Sequence, residues 1–159
     1  MPVFRIEIAP KHPSSQTKIV QSAQHLNITG LTACYVERLF FIEGNLHQSD
    51  AAALAASLLA DPVTEVYRVG ASPAPQDAAL VETTFQPGVT DPAAESLLRS
   101  AHLKGYAGVT RCATGHRYTL SGTLTLHELH RIATEILSNP VIQRYVEGAP
   151  IDAPFVPFD

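Results

Sequence analysis

The sequence predicts an α+β fold made of two tandem βαββαβ units with antiparallel sheets, packed as a pseudo-two-fold pair. Three observations predict it. The chain has 159 residues, 45% hydrophobic and 16% charged, a balance that suits a globular core rather than a disordered chain. A shift of 78 positions lays residues 17–70 over 95–148 without a gap. Within each copy, strand-like and helix-like apolar spacing alternates in the order strand, helix, strand, strand, helix, strand.

The repeat rests on residue types that seldom coincide by accident. Gly30, Thr32 and Cys34 meet Gly108, Thr110 and Cys112, and Gly44 and Leu46 meet Gly122 and Leu124. Leu59, Pro62, Val63, Tyr67 and Gly70 meet Leu137, Pro140, Val141, Tyr145 and Gly148. The expected divisions are therefore 1–70 and 79–148 for the two units. A Pro-containing linker at 71–78 and a Pro/Phe-rich tail at 149–159 complete the chain.

The elements of the second copy are the clearer set. Val81 to Phe85 reads as a strand, and Asp91-Pro92 supplies an N-cap followed by proline at the first helical position. Leu97, Leu98 and Ala101 form the stripe of that helix, which Gly105 and Gly108 end. Two strands, 109–113 and 117–120, are expected around a turn at Thr114-Gly115. Thr125 and Glu128 then make a capping box before Leu129, Ile132, Ala133, Ile136 and Leu137. Asn139-Pro140 stops the helix, and Val141 to Val146 is the last strand. In the first copy the corresponding stripes are Ile19, Val20, Ala23 and Leu26, then Leu54, Leu58 and Leu59. This order gives a ferredoxin-like unit with both helices on one sheet face.

The opposite face needs a cover. Leu39-Phe40-Phe41-Ile42 is apolar at every position, as in a strand buried on both faces. Burying Leu39 and Phe41 is worth about 1.5–3 kcal/mol each. A partner protein, the sibling unit, or the tail residues Phe155 and Phe158 could supply that cover. Leu39, Phe41, Phe155 and Phe158 are accordingly candidates for a partner interface, with the charged residues Arg38, His116 and Arg117 near the expected turns.

Several function classes find no support. A formal net charge of −4 and no run of Lys or Arg argue against nucleic acid or an anionic membrane as partner. Strand-like sequence from Val3 leaves no room for a signal peptide, and two cysteines are too few for a disulfide framework. A cytoplasmic location is the expectation. Phosphate-binding glycine loops and nucleophile elbows are missing from the sequence. His127 and His130 have a spacing that could bite a metal, but they lie at the polar edge of their helix without a third ligand, so no metal site is expected. Cys34 and Cys112 read as buried strand cysteines. No catalytic residue is assigned.

Three segments of the second copy carry a family resemblance. They are Phe85-Gln86-Pro87-Gly88-Val89-Thr90-Asp91-Pro92, then Val109-Thr110-Arg111 with Gly115-His116-Arg117-Tyr118-Thr119-Leu120, and Leu137-Ser138-Asn139-Pro140-Val141-Ile142-Gln143-Arg144-Tyr145. This copy resembles the small subunit, PurS, of phosphoribosylformylglycinamidine synthase. The family usually has lysine after the turn glycine, where this chain has His116 followed by Arg117. The first copy keeps the closing pattern as Leu59-Ala60-Asp61-Pro62-Val63-Thr64-Glu65-Val66-Tyr67 but has Glu37 in place of the turn glycine. The chain thus looks like a fused pair that replaces a dimer of the small subunit, with a tail suited to joining a further domain.

The resemblance implies a non-catalytic assembly module in purine biosynthesis. It would join a large ATP-binding synthase to a glutaminase, within a ligase that uses ATP and glutamine. Cofactors are then expected on the partner, ATP and Mg²⁺ on the synthase, and none in this chain. A homo-oligomer is compatible with this reading. The alternative reading is an ACT-like tandem regulatory domain that binds a small ligand such as an amino acid at the pairing interface. A dimeric-barrel enzyme is a third; it would want a His or Tyr in a polar pocket, and of His116 and Tyr118 only Tyr118 is expected to point inward by alternation.

Overall fold

The structure is a computed structural model and describes residues 1–156. Its elements are β1 (Val3–Pro10), α1 (Thr17–His25), β2 (Leu31–Gly44), α2 (Gln48–Leu54) and β3 (Glu65–Val69), then β4 (Ala79–Phe85), α3 (Pro92–Leu103), β5 (Val109–Gly122), α4 (Leu126–Ile132) and β6 (Gln143–Glu147). Single π-helical turns, Ala55–Leu59 and Ala133–Leu137, extend α2 and α4. All six strands join one antiparallel sheet in the order β3-β1-β2-β5-β4-β6. The α+β class and the antiparallel sheets expected from sequence are present.

The local signals act as expected at the helix starts. Asp91 accepts a hydrogen bond from the Ala94 amide at 3.1 Å, and Pro92 opens α3. Thr125 and Glu128 satisfy one another's amides at 3.1 and 3.0 Å. These bonds satisfy donors that the first turn of a helix leaves unpaired.

The expected hairpin in the middle of each unit is replaced by something else. Residues 31–44 and 109–122 are single strands of 14 residues, and Thr114-Gly115 lies within β5 rather than at a turn. Gly115 is required there by crowding: a Cβ at this position would stand 2.3 Å from the Thr83 carbonyl oxygen. Glycine in a strand interior marks such a close backbone approach as often as it marks a turn.

Strands this long, about 46 Å at 3.3 Å per residue, serve two cores each. One core collects Ile6, Ile8, Phe40 and Ile42 with Ala51, Leu54, Ala55 and Leu59, and it also takes Leu97, Ala101 and Val109 from the second half. The other collects Val81, Leu120, Leu129, Ile132, Ala133 and Leu137, and takes Ala23, Ile28, Leu31 and Cys34 from the first half. Each ferredoxin-like layer is therefore completed by a helix and a half-strand exchanged from the other half of the chain. The centre of the exchange lies between Arg38 and His116, which are cross-strand partners. They are also equivalent positions under the 78-residue shift, so a pseudo-two-fold axis passes between them.

Candidate functional site

Both cores and all helices lie on one face of the sheet, reached by even-numbered residues of β2 and β5 such as Cys34, Phe40, Ile42, Cys112 and Leu120. Odd-numbered residues reach the opposite face, which carries no helix. There the strands present an ionic lattice beside a small apolar cluster.

Glu7 and Glu82 are wholly buried at its centre. Arg5 binds both, donating to Glu7 at 2.8 and 3.0 Å and to Glu82 at 2.6 Å through each of its terminal nitrogens. Arg117 donates to Glu82 at 2.8 Å, and Arg68 reaches Glu7 at 3.0 Å and pairs with Glu37. At the rim, Arg111 pairs with Glu43 at 2.8 Å. A buried charge is tolerable only when paired and hydrogen-bonded, and each carboxylate here meets that condition.

Two segments without helix or strand cross this face and complete the lattice. The linker brings Ser72, whose amide and hydroxyl both donate to Glu7. Arg117 donates to the Ser72 and Pro73 carbonyls at 3.3 and 2.8 Å. The tail brings the Ile151 amide to Glu82 at 2.9 Å. Burial alone would raise the pKa of Glu7, but the Ser72 bonds and the Arg5 guanidinium outweigh it and hold the carboxyl at about 2.

The tail also answers what covers the apolar strand. Leu39 is 0% and Phe41 2% exposed, and both pack with Ala113 and Ile151, with Val146, Ala153 and Phe155 at the margin. The Phe155 ring lies 4.7 Å beneath the Arg111 guanidinium, and Arg111 donates to the Val156 carbonyl at 2.6 Å. Cavities of about 410 and 490 Å³ flank this strap on its two sides.

These positions revise the sequence-derived candidates. Leu39 and Phe41 are covered from within the chain rather than open to a partner, because the tail supplies the second apolar layer. Arg117, 4% exposed, is committed to Glu82 and the linker. Phe155 joins the same cluster, and Phe158 lies outside the described residues. Arg38 and His116 stand apart on the helix-bearing face. Arg38 is held by Glu65 at 2.7 Å and the Leu59 carbonyl at 3.1 Å, and His116 is exposed. Desolvation and the nearby Arg38 lower the His116 pKa, which favours the neutral ring.

Sequence reading missed Arg5, Glu7, Glu82, Ser72 and Ile151. Charged residues alternating with apolar ones, as in Arg5-Ile6-Glu7-Ile8, ordinarily mark a solvated face. Only the path of the linker and tail across that face makes them interior.

Other chemistry is sparse. Among the described residues no group of three or more His, Cys, Asp or Glu is placed to hold a metal ion. His127 and His130 are exposed, and the His130 Nδ1 lies 2.8 Å from the Tyr145 hydroxyl. Burial pushes the Cys34 thiol up to about 12, and burial with the nearby Asp91 does the same for Cys112. Such thiols are poor nucleophiles at neutral pH. No described helix is long and apolar enough to cross a membrane.

Fold and surface together define a class: a ferredoxin-like pair closed by strand and helix exchange, with an ionic lattice on the sheet face that carries no helix. Residues 78–147 match the PurS family, described as phosphoribosylformylglycinamidine (FGAM) synthase, and form a PurS-like domain. That family belongs to purine biosynthesis. Among curated proteins, none matches the chain at a significant level.

Proposed function

We propose that this chain is an assembly module of phosphoribosylformylglycinamidine synthase, formed by two fused PurS-like units. In this role it holds the ATP-binding synthase and the glutaminase together in the cytoplasm and contributes no catalytic residue. ATP and Mg²⁺ belong to the synthase partner. The observation that carries the reading is the PurS-like domain at 78–147, whose order of elements recurs in the first half within the same sheet. A fused chain of this kind would stand where two separate copies otherwise pair.

The test is reconstitution. The chain, the synthase and the glutaminase are mixed, and FGAM formation is measured with glutamine and separately with ammonia. Leaving this chain out should abolish glutamine-dependent activity while ammonia-dependent activity persists. Unchanged glutamine coupling in its absence would overturn the assignment.

A further inference from the structure

We propose that the outer edge of β6 is a docking edge for an extended strand of another protein, one that carries a basic and an acidic side chain three residues apart. This edge and its occupant stand apart from the synthase assignment.

The sheet ends at β3 on one side and at β6 on the other. An open edge leaves main-chain donors and acceptors without partners. On β6 the Gly148 amide donates to the Leu80 carbonyl at 2.8 Å, which fixes the phase of the ladder with β4. Arg144 and Val146 therefore turn their main-chain groups toward β4, and Tyr145 and Glu147 turn theirs away from the sheet. Gln143 is already capped: its amide donates to the Asn139 carbonyl at 2.7 Å, and its carbonyl accepts from the Gln86 side chain at 2.9 Å. An added strand would bond to Tyr145 and Glu147, with Val141 (84% exposed) and Ile142 (38%) offering apolar ground at the near end.

Side-chain charge selects the occupant. Glu147 Oε1 is closed off from solvent and accepts no hydrogen bond among the described residues. The His130 Nδ1 lies 3.7 Å from it and faces the Tyr145 hydroxyl at 2.8 Å. Arg144, on the other face of the strand, donates to the Thr84 hydroxyl and the Asp152 carbonyl but pairs with no carboxylate among the described residues. At the opposite edge the charges are already answered: Arg38 holds Glu65 at 2.7 Å, and Arg68 pairs with Glu7 and Glu37. A second copy cannot answer Arg144 and Glu147, because directly opposed residues of an antiparallel pair lie on the same face. Another β6 would set Arg144 against Arg144 or Val146, and Glu147 against Gln143, Tyr145 or Glu147. A β3 strand would set Arg144 against Val66 or Arg68, and Glu147 against Glu65, Tyr67 or Val69. No register of these strands brings opposite charges together. A strand of a different protein, antiparallel like every pair in this sheet, answers both with a base opposite Glu147 and an acid opposite Arg144.

The experiment uses the full chain and two blocked synthetic peptides of about ten residues, the length of a long strand. One carries lysine, two valines and glutamate in that order at its centre; the other exchanges the lysine and the glutamate. Titration calorimetry reads the affinity, and amide NMR spectra of the isotope-labelled chain read where each peptide lands. The first peptide should bind, shifting the Tyr145 and Glu147 amides and slowing their hydrogen exchange. The exchanged peptide should bind at least about tenfold more weakly. Arg144→Glu combined with Glu147→Lys should reverse that preference. Tyr145→Pro removes one open donor and no ladder bond, so it should weaken the first peptide while the fold persists. Equal affinity for the two peptides, no binding of either up to about 1 mM, or shifts that fall on Tyr67 and Val69 instead would overturn the proposal. Should a variant unfold, the two peptides compared on the wild-type chain decide alone.

Discussion

Replacing Glu7 by Gln tests whether the lattice stabilises the fold or merely decorates it. In the folded chain the Glu7 carboxyl titrates at about 2 against a reference of 4.5. At about 1.36 kcal/mol per unit, a depression of this size corresponds to about 3 kcal/mol of folding free energy. The sign follows from the direction. A depressed pKa favours the folded state while the group is ionised, so the contribution is complete above 4.5 and is lost as pH falls toward 2. Glu7→Gln keeps the shape and removes the charge, leaving Arg5 and Arg68 short of a partner. At pH 7 the variant should be less stable by about 3 kcal/mol, a fall in Tm of roughly 6–12 °C for a chain of this size. Urea unfolding and calorimetry of both proteins at pH 7, 5, 4, 3 and 2 measure the effect. The gap between them should narrow across the window from 4.5 to 2 and nearly close at its lower end. Equal stability at pH 7, or a gap that does not change with pH, would refute the argument that Ser72 and Arg5 hold this carboxylate ionised.

Two further outcomes follow from the exchange between halves. Gly115→Ala forces a Cβ against the Thr83 carbonyl and should cost roughly 1–3 kcal/mol in urea unfolding; a neutral effect would show that β4 and β5 can move apart freely. Residues 1–78 and 79–159 expressed separately should each lack a folded monomer, since each core takes a helix and a half-strand from the other half. Mixing them should restore a dispersed NMR spectrum, and a folded monomeric half would contradict the exchanged architecture.

Much of this architecture was legible in residue order. The helix caps at Asp91 and Thr125, the doubly buried run at 39–42 and the buried Cys34 follow from local chemistry, because each depends on neighbours within one element, whereas Cys112 is only half-buried. Thr114-Gly115 shows where that reasoning fails. Glycine serves equally at a turn and at a close backbone contact, and the residues flanking it do not distinguish the two. The cost of misreading it was the hairpin, and with the hairpin the whole pattern of exchange. Phe155 shows the same limit from the other side. Its role as a cover was one reading among three, because a Pro-rich tail carries no periodicity to say where it lies.

The sequence by itself determined the apolar periodicity and the helix caps, since these are set by side chains a few residues apart. Tertiary structure alone decided that Leu39 and Phe41 face the tail, that Glu7 and Glu82 are interior, and that each core is shared. Those facts depend on where a linker and a tail cross strands that are distant in sequence. Burial of a charge or an apolar face is a property of what arrives opposite it, and no local pattern encodes that arrival.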